Sequence, residues 1–209
     1  MLQVLLASSE VFMVEENSLN IPLTEKLKGI PGIFGIRLGE GPLYSVVASE
    51  GDKEIRKYRP CILASISING TFEEVRKEAF ISLASYIFGK NKDKKQLKMT
   101  APVLHVPTGS GWTMSFILPT KYTLASAPTP QDKRIQLHKK PEHIAATIRY
   151  SGVNNQEKIK KYSAELMRWL SRKHLYNPIG EIQSAQYDGP TTIGFLRKNE
   201  IHVEVNSIQ

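Results

Sequence analysis

Cys61 is the only cysteine in 209 residues, so the chain can form no intramolecular disulfide and no multi-cysteine metal site. Long apolar runs are missing too. None approaches the roughly 20 residues a membrane span requires, and the opening MLQVLLA is short and lacks a basic n-region. The expectation is a cytoplasmic chain with no membrane span. Enzyme signatures are also absent: there is no GxSxG, HExxH, P-loop or dinucleotide GxGxxG. Gly109-Ser110-Gly111 reads as a hairpin turn, and the five histidines show no metal-ligand spacing. The chain is expected to be neither an enzyme nor a holder of a protein-ligated metal.

Acidic residues are scarce after the first 50 positions. The net charge is +8 overall, and residues 51–209 alone carry +11. Basic runs such as Lys90, Lys92, Lys94, Lys95 and Lys98 read first as solvated faces. No aromatic residues interleave with them on a strand, and no reading helix is evident, so nucleic acid is not an expected partner. Apolar residues at 41% and charged residues at 23% describe an ordinary globular domain.

What is present is a repeat. Arg59-Pro60-Cys61-Ile62-Leu63-Ala64-Ser65-Ile66, then Gly70, parallels Lys140-Pro141-Glu142-His143-Ile144-Ala145-Ala146-Thr147-Ile148, then Gly152. In each copy a β-branched strand runs into glycine, and a polar stretch then opens an amphipathic helix. The first helix is expected over about 72–88 with Thr71 as N-cap, the second over about 155–173. Further strands are expected at Gln96 to Val106, Thr113 to Leu118, Ile179 to Tyr187 and Ile201 to Val205. The fold class is therefore α+β: one sheet system made of two pseudo-symmetric repeats, about 43–119 and 131–205, with a helix on each. Residues 1–41 belong to neither copy and are expected to form an N-terminal extension packed on the domain of residues 42–209. Residues 122–133 link the copies.

At about 100° per residue, Phe72, Val75, Ala79, Leu83 and Tyr86 form the core stripe of the first helix. Phe80, Ile81, Ala84, Ile87 and Phe88 extend the apolar arc by roughly another 150°. One sheet cannot cover so wide an arc. The extension, the linker, another subunit or an apolar ligand must meet the remainder.

Six segments in order then point to a family: Glu54-Ile55-Arg56-Lys57-Tyr58, Glu78-Ala79-Phe80 leading to Tyr86-Ile87-Phe88-Gly89-Lys90-Asn91, Lys98-Met99-Thr100-Ala101-Pro102-Val103, Phe116-Ile117-Leu118-Pro119, Tyr187-Asp188-Gly189-Pro190 and Arg197-Lys198-Asn199-Glu200. In these the chain resembles the SOUL haem-binding proteins over about residues 41–205. The resemblance implies a distorted β-barrel flanked by two helices, and non-catalytic binding of haem or another tetrapyrrole for buffering or transport. It points to Arg76, Phe80, Leu83, Ala84 and Ile87 along the first helix as binding residues. Lys57 stands where some members are proposed to ligate iron through histidine; His105, Met99 and Tyr58 are substitutes. The chain is also similar to GyrI-like and Rob-like effector domains, which implies as alternatives a binder of other flat or cationic apolar molecules, or a protein-interaction module. A monomer is expected, with a dimer as the alternative.

Overall fold

A computed structural model describes residues 40–189 and 192–208. The expected N-terminal extension, 1–41, lies outside the described residues except for its last two. Ten strands form one curled antiparallel sheet with two α-helices, the α+β distorted barrel expected from the sequence. The strands are β1 (Tyr44–Glu50), β2 (Lys53–Tyr58), β3 (Cys61–Asn69), β4 (Val103–Pro107), β5 (Gly111–Ile117), β6 (Gln136–Lys140), β7 (His143–Ser151), β8 (Tyr176–Pro178), β9 (Gln183–Gln186) and β10 (Lys198–Ser207). Helix α1 (Phe72–Ile87) follows β3 and α2 (Gln156–Ser171) follows β7.

The strand order is β1-β2-β7-β10-β9-β4-β5-β3-β6, with β8 paired to β10. Leaving β1 aside, this order reads the same from either end once β2 is matched with β6, β3 with β7, β4 with β9 and β5 with β10. The β4–β9 pair sits at the centre. Before each helix the chain turns on a glycine with positive φ, Gly70 at +132° and Gly152 at +109°, a backbone region that penalises residues with a Cβ.

Both helices begin on side-chain caps. Thr71 accepts from the Glu74 backbone N–H, and the Glu74 carboxylate returns the bond to the Thr71 N–H at 3.0 Å. Asn155 caps α2 through Lys158 N–H. These caps satisfy backbone donors that would otherwise be orphaned at the helix start. Val75, Ala79, Leu83, Tyr86 and Ile87 of α1 pack on Ile62, Ala64 and Ile66 of β3 and on Met114 and Phe116 of β5. Ile159, Leu166, Trp169 and Leu170 of α2 pack on Ala146 and Ile148 of β7 and on Ile201, Val203 and Val205 of β10. At roughly 1.5–3 kcal/mol per fully buried large apolar side chain, these two layers carry most of the fold's stabilisation.

The α1 core is completed by the segment before β4 and by the chain between β5 and β6. Leu97, Tyr122 and Ile135 join the α1 core, and Tyr86 Oη donates to the Pro128 carbonyl at 2.9 Å. The strand expected from Gln96 begins only at Val103, because the preceding residues close the end of α1 instead. Leu97 N–H donates to the Ile87 carbonyl at 2.8 Å, and Asn91 Nδ2 donates to that of Tyr86 at 3.1 Å. Among the described residues no helix is long and apolar enough to cross a membrane.

Candidate ligand-binding surface

The two faces of the sheet differ in chemistry. The helix-facing side is apolar, whereas the opposite side carries a buried ion network in the half formed by β2, β7 and β10. Arg56 makes a two-pronged contact with Glu200, at 2.8 and 2.9 Å, and its Nε donates to Glu54 at 2.7 Å. Glu200 Oε2 also accepts from Tyr187 Oη at 2.6 Å and contacts His202 Nε2 at 2.7 Å. The Tyr44 ring covers the guanidinium at 4.5 Å. Burial alone would raise the Glu200 pKa, but the bonds from His202 and Arg56 outweigh it and hold the carboxylate far below its usual range. Glu200 is thus charged and already paired to a cation of its own chain. Beside this network is a cavity of about 140 Å³ lined by Lys140, His143, Glu181, Gln183, His202 and Glu204 among others. It falls short of the roughly 300–1,000 Å³ usual for drug-sized ligands, and so is too small for a tetrapyrrole.

The residues expected to bind along α1 divide into two groups. Leu83, Ala84 and Ile87 are buried in the α1 core. Arg76 and Phe80, one turn apart on the same stripe, are half-buried. Phe80 packs edge-on against Phe116 at 5.6 Å, and the Arg76 guanidinium lies 5.7 Å from the Phe72 ring centre. Lys57 is not gathered with them. It sits on β2, outside the α1 half of the sheet, and pairs with Glu142 at 2.8 Å. Of the substitute ligands, His105 is 2% exposed beneath Phe72, whose ring meets it edge-on at 5.3 Å. Burial, reinforced by the charge of Arg76, pushes its pKa down to about 3, so the imidazole is neutral. Tyr58 belongs to the ion network, and Met99 is packed against the α1 core.

A further element joins Arg76. Between β9 and β10 a 3-10 turn, Gly194–Leu196, presents Ile193, Phe195 and Leu196 at 60%, 72% and 54% exposure. Arg197 ends that turn, its Nε donating to the Thr192 carbonyl at 2.9 Å. Its charge reaches Arg76, whose pKa is lowered by burial first, opposed by Glu73, and lowered further by Arg197. Arg197, at the end of the exposed turn, thus stands within electrostatic reach of Arg76, which shares a stripe of α1 with half-buried Phe80. Exposed apolar side chains beside guanidinium groups can hold an apolar molecule with anionic substituents. The turn went unnoticed in the sequence, although Ile193-Gly194-Phe195-Leu196 is an apolar run lodged just before the Arg197-Lys198 motif.

A family model described as SOUL heme-binding protein matches residues 39–204. The chain belongs to that family. Among curated proteins, this SOUL chain is similar to Heme-binding protein 2 of Homo sapiens, 29% identical over 159 residues that cover 72% of this chain and 77% of that one. Its fold is similar to that of EcmrR in a complex with DNA (TM-score 0.58, 13% identity, 75% of this chain). The SOUL chain spans only 57% of that EcmrR chain. It is also similar to an uncharacterized conserved protein of Listeria innocua (TM-score 0.56, 15% identity, 76% of this chain and 94% of that one). At these identities the two structures show a shared fold.

Proposed function

We propose that this SOUL-family chain is a non-catalytic binder of haem or another tetrapyrrole, which it buffers or carries. The observation that supports this reading is the exposed apolar turn at Ile193, Phe195 and Leu196, whose closing Arg197 lies within electrostatic reach of Arg76, one turn of α1 from Phe80. A tetrapyrrole there is held by apolar contact and by charge pairing of its carboxylates. Haem would bring an iron centre to the site, and no exposed histidine of this chain belongs to that surface. His174 follows α2, and His138 shares the opposite face of the sheet with Leu63. Affinity accordingly does not depend on a protein imidazole.

Absorption titration with hemin, alongside fluorescence titration with iron-free protoporphyrin IX, tests the reading. Both ligands are expected to bind saturably, with affinities within about a factor of ten of each other. Phe195→Asp weakens both by at least about tenfold, since a charge placed against the macrocycle forfeits more than 1.4 kcal/mol. Phe195 is mostly exposed, so this change leaves the fold intact; Phe80→Asp gives the same direction at some cost in stability. Unsaturable uptake of both ligands, indifferent to either substitution, would overturn the proposal.

A further inference from the structure

The turn of the proposed tetrapyrrole site leaves Ile193, Phe195 and Leu196 each more than half exposed. Val153, 47% exposed in the connection from β7 to α2, extends it: a Cβ placed on Gly194 would stand 3.2 Å from a Val153 methyl. Two connections thus build a single apolar tip from Val153, Ile193, Phe195 and Leu196. Cations from separate elements surround it. The Lys158 ammonium fills the space beside Gly152 and donates to the Ser151 carbonyl at 3.0 Å. Lys198 is exposed opposite Ser151, and Arg197 closes the turn itself, within electrostatic reach of Arg76 on α1. Asp188 accepts the Lys198 N–H and lies near Arg197, and Glu73 lies near Arg76. The chain as a whole is at +8.

We infer that this tip docks on an anionic lipid surface. A protruding apolar point with a basic collar inserts into the boundary between headgroups and acyl chains, while the cations meet the negative surface. A protein partner would instead call for a broad, flat or grooved apolar area. The inference rests on the tetrapyrrole reading only for the cargo: docking brings the α1 surface to the phase in which an apolar macrocycle dissolves, so ligand passes between bilayer and protein without crossing water.

Cosedimentation of the ligand-free protein with vesicles tests this directly. Partition is expected to be strong on mixed phosphatidylcholine–phosphatidylglycerol vesicles, weak on phosphatidylcholine alone, and reduced by added salt. Phe195→Asp lowers it at least about tenfold, and Lys158→Glu lowers it by about fivefold or more, since each cation near such a surface contributes about that factor. Lys158→Glu leaves hemin affinity unchanged, which separates the two proposals. Absence of partition, equal partition on neutral vesicles, or indifference to Phe195→Asp would overturn docking whatever the porphyrin titrations show.

Discussion

His105 is held in a core that gives its ring nitrogens no hydrogen bond of normal geometry. The backbone of Ser184, opposite it in the β4–β9 ladder, favours the charged form but is outweighed by burial. A buried polar group without a partner costs roughly 1–3 kcal/mol, and an apolar residue of similar size removes that cost. His105→Leu is therefore expected to raise the urea midpoint, by about 1–2 kcal/mol in unfolding free energy. The folded pKa, about 3, lies below the ordinary value of 6.5, so the unfolded chain takes up the proton first. His105 therefore withdraws stability as pH falls from about 6.5 towards 3. His105→Leu removes that part of the slope, which denaturation curves across the range would show. Nothing in the sequence marks His105 as orphaned. Its parity with Val103 is legible, but whether a neighbour offers a partner depends on β9, eighty residues away in the chain.

Secondary structure was most legible where local chemistry and burial agree. Thr71 and Glu74 bracket the first turn of α1 in sequence and form both bonds of the capping box in the structure. Thr71→Ala is expected to cost about 1 kcal/mol of stability, measurable as a lowered thermal midpoint without loss of hemin binding. The α2 stripe of Ile159, Leu166, Trp169 and Leu170 likewise follows from helical spacing. The segment before β4 did not, because Gln96 to Pro102 has strand-like composition but spends its backbone donors on the end of α1. Neither did β6, whose half-exposed, charged run of Gln136–Lys140 carries no apolar alternation. For the binding surface, the α1 positions came through the family motifs. Periodicity alone could not tell Leu83, Ala84 and Ile87, which the linker helps bury, from Phe80, which it leaves half-open.

Across the whole molecule, long-range pairs tie the two halves of the chain together. Arg56 of β2 and Glu200 of β10 are separated by 144 residues and joined by two bonds in a buried setting. Removing one partner of such a pair strands the other's charge, so Arg56→Met is expected to lower unfolding free energy by about 3–5 kcal/mol. Arg56→Met combined with Glu200→Leu recovers much of that loss, since the Glu200 charge is no longer stranded and Glu54 keeps its ion pair with Arg149 at 3.0 Å. Chemical denaturation of the wild type and the two variants checks both expectations.

The same strand order carries a consequence for how such a molecule comes to exist. β2 comes from the first half of the chain yet pairs with β7 of the second, and β6 comes from the second yet pairs with β3 of the first. Each half lends a strand to the other, as two people clasp forearms. Neither half closes its own sheet, but two copies of one half-length peptide could close each other's in the same way. The architecture is that of a reciprocal exchange between two halves, joined by a segment whose Tyr122, Pro128 and Ile135 also roof α1.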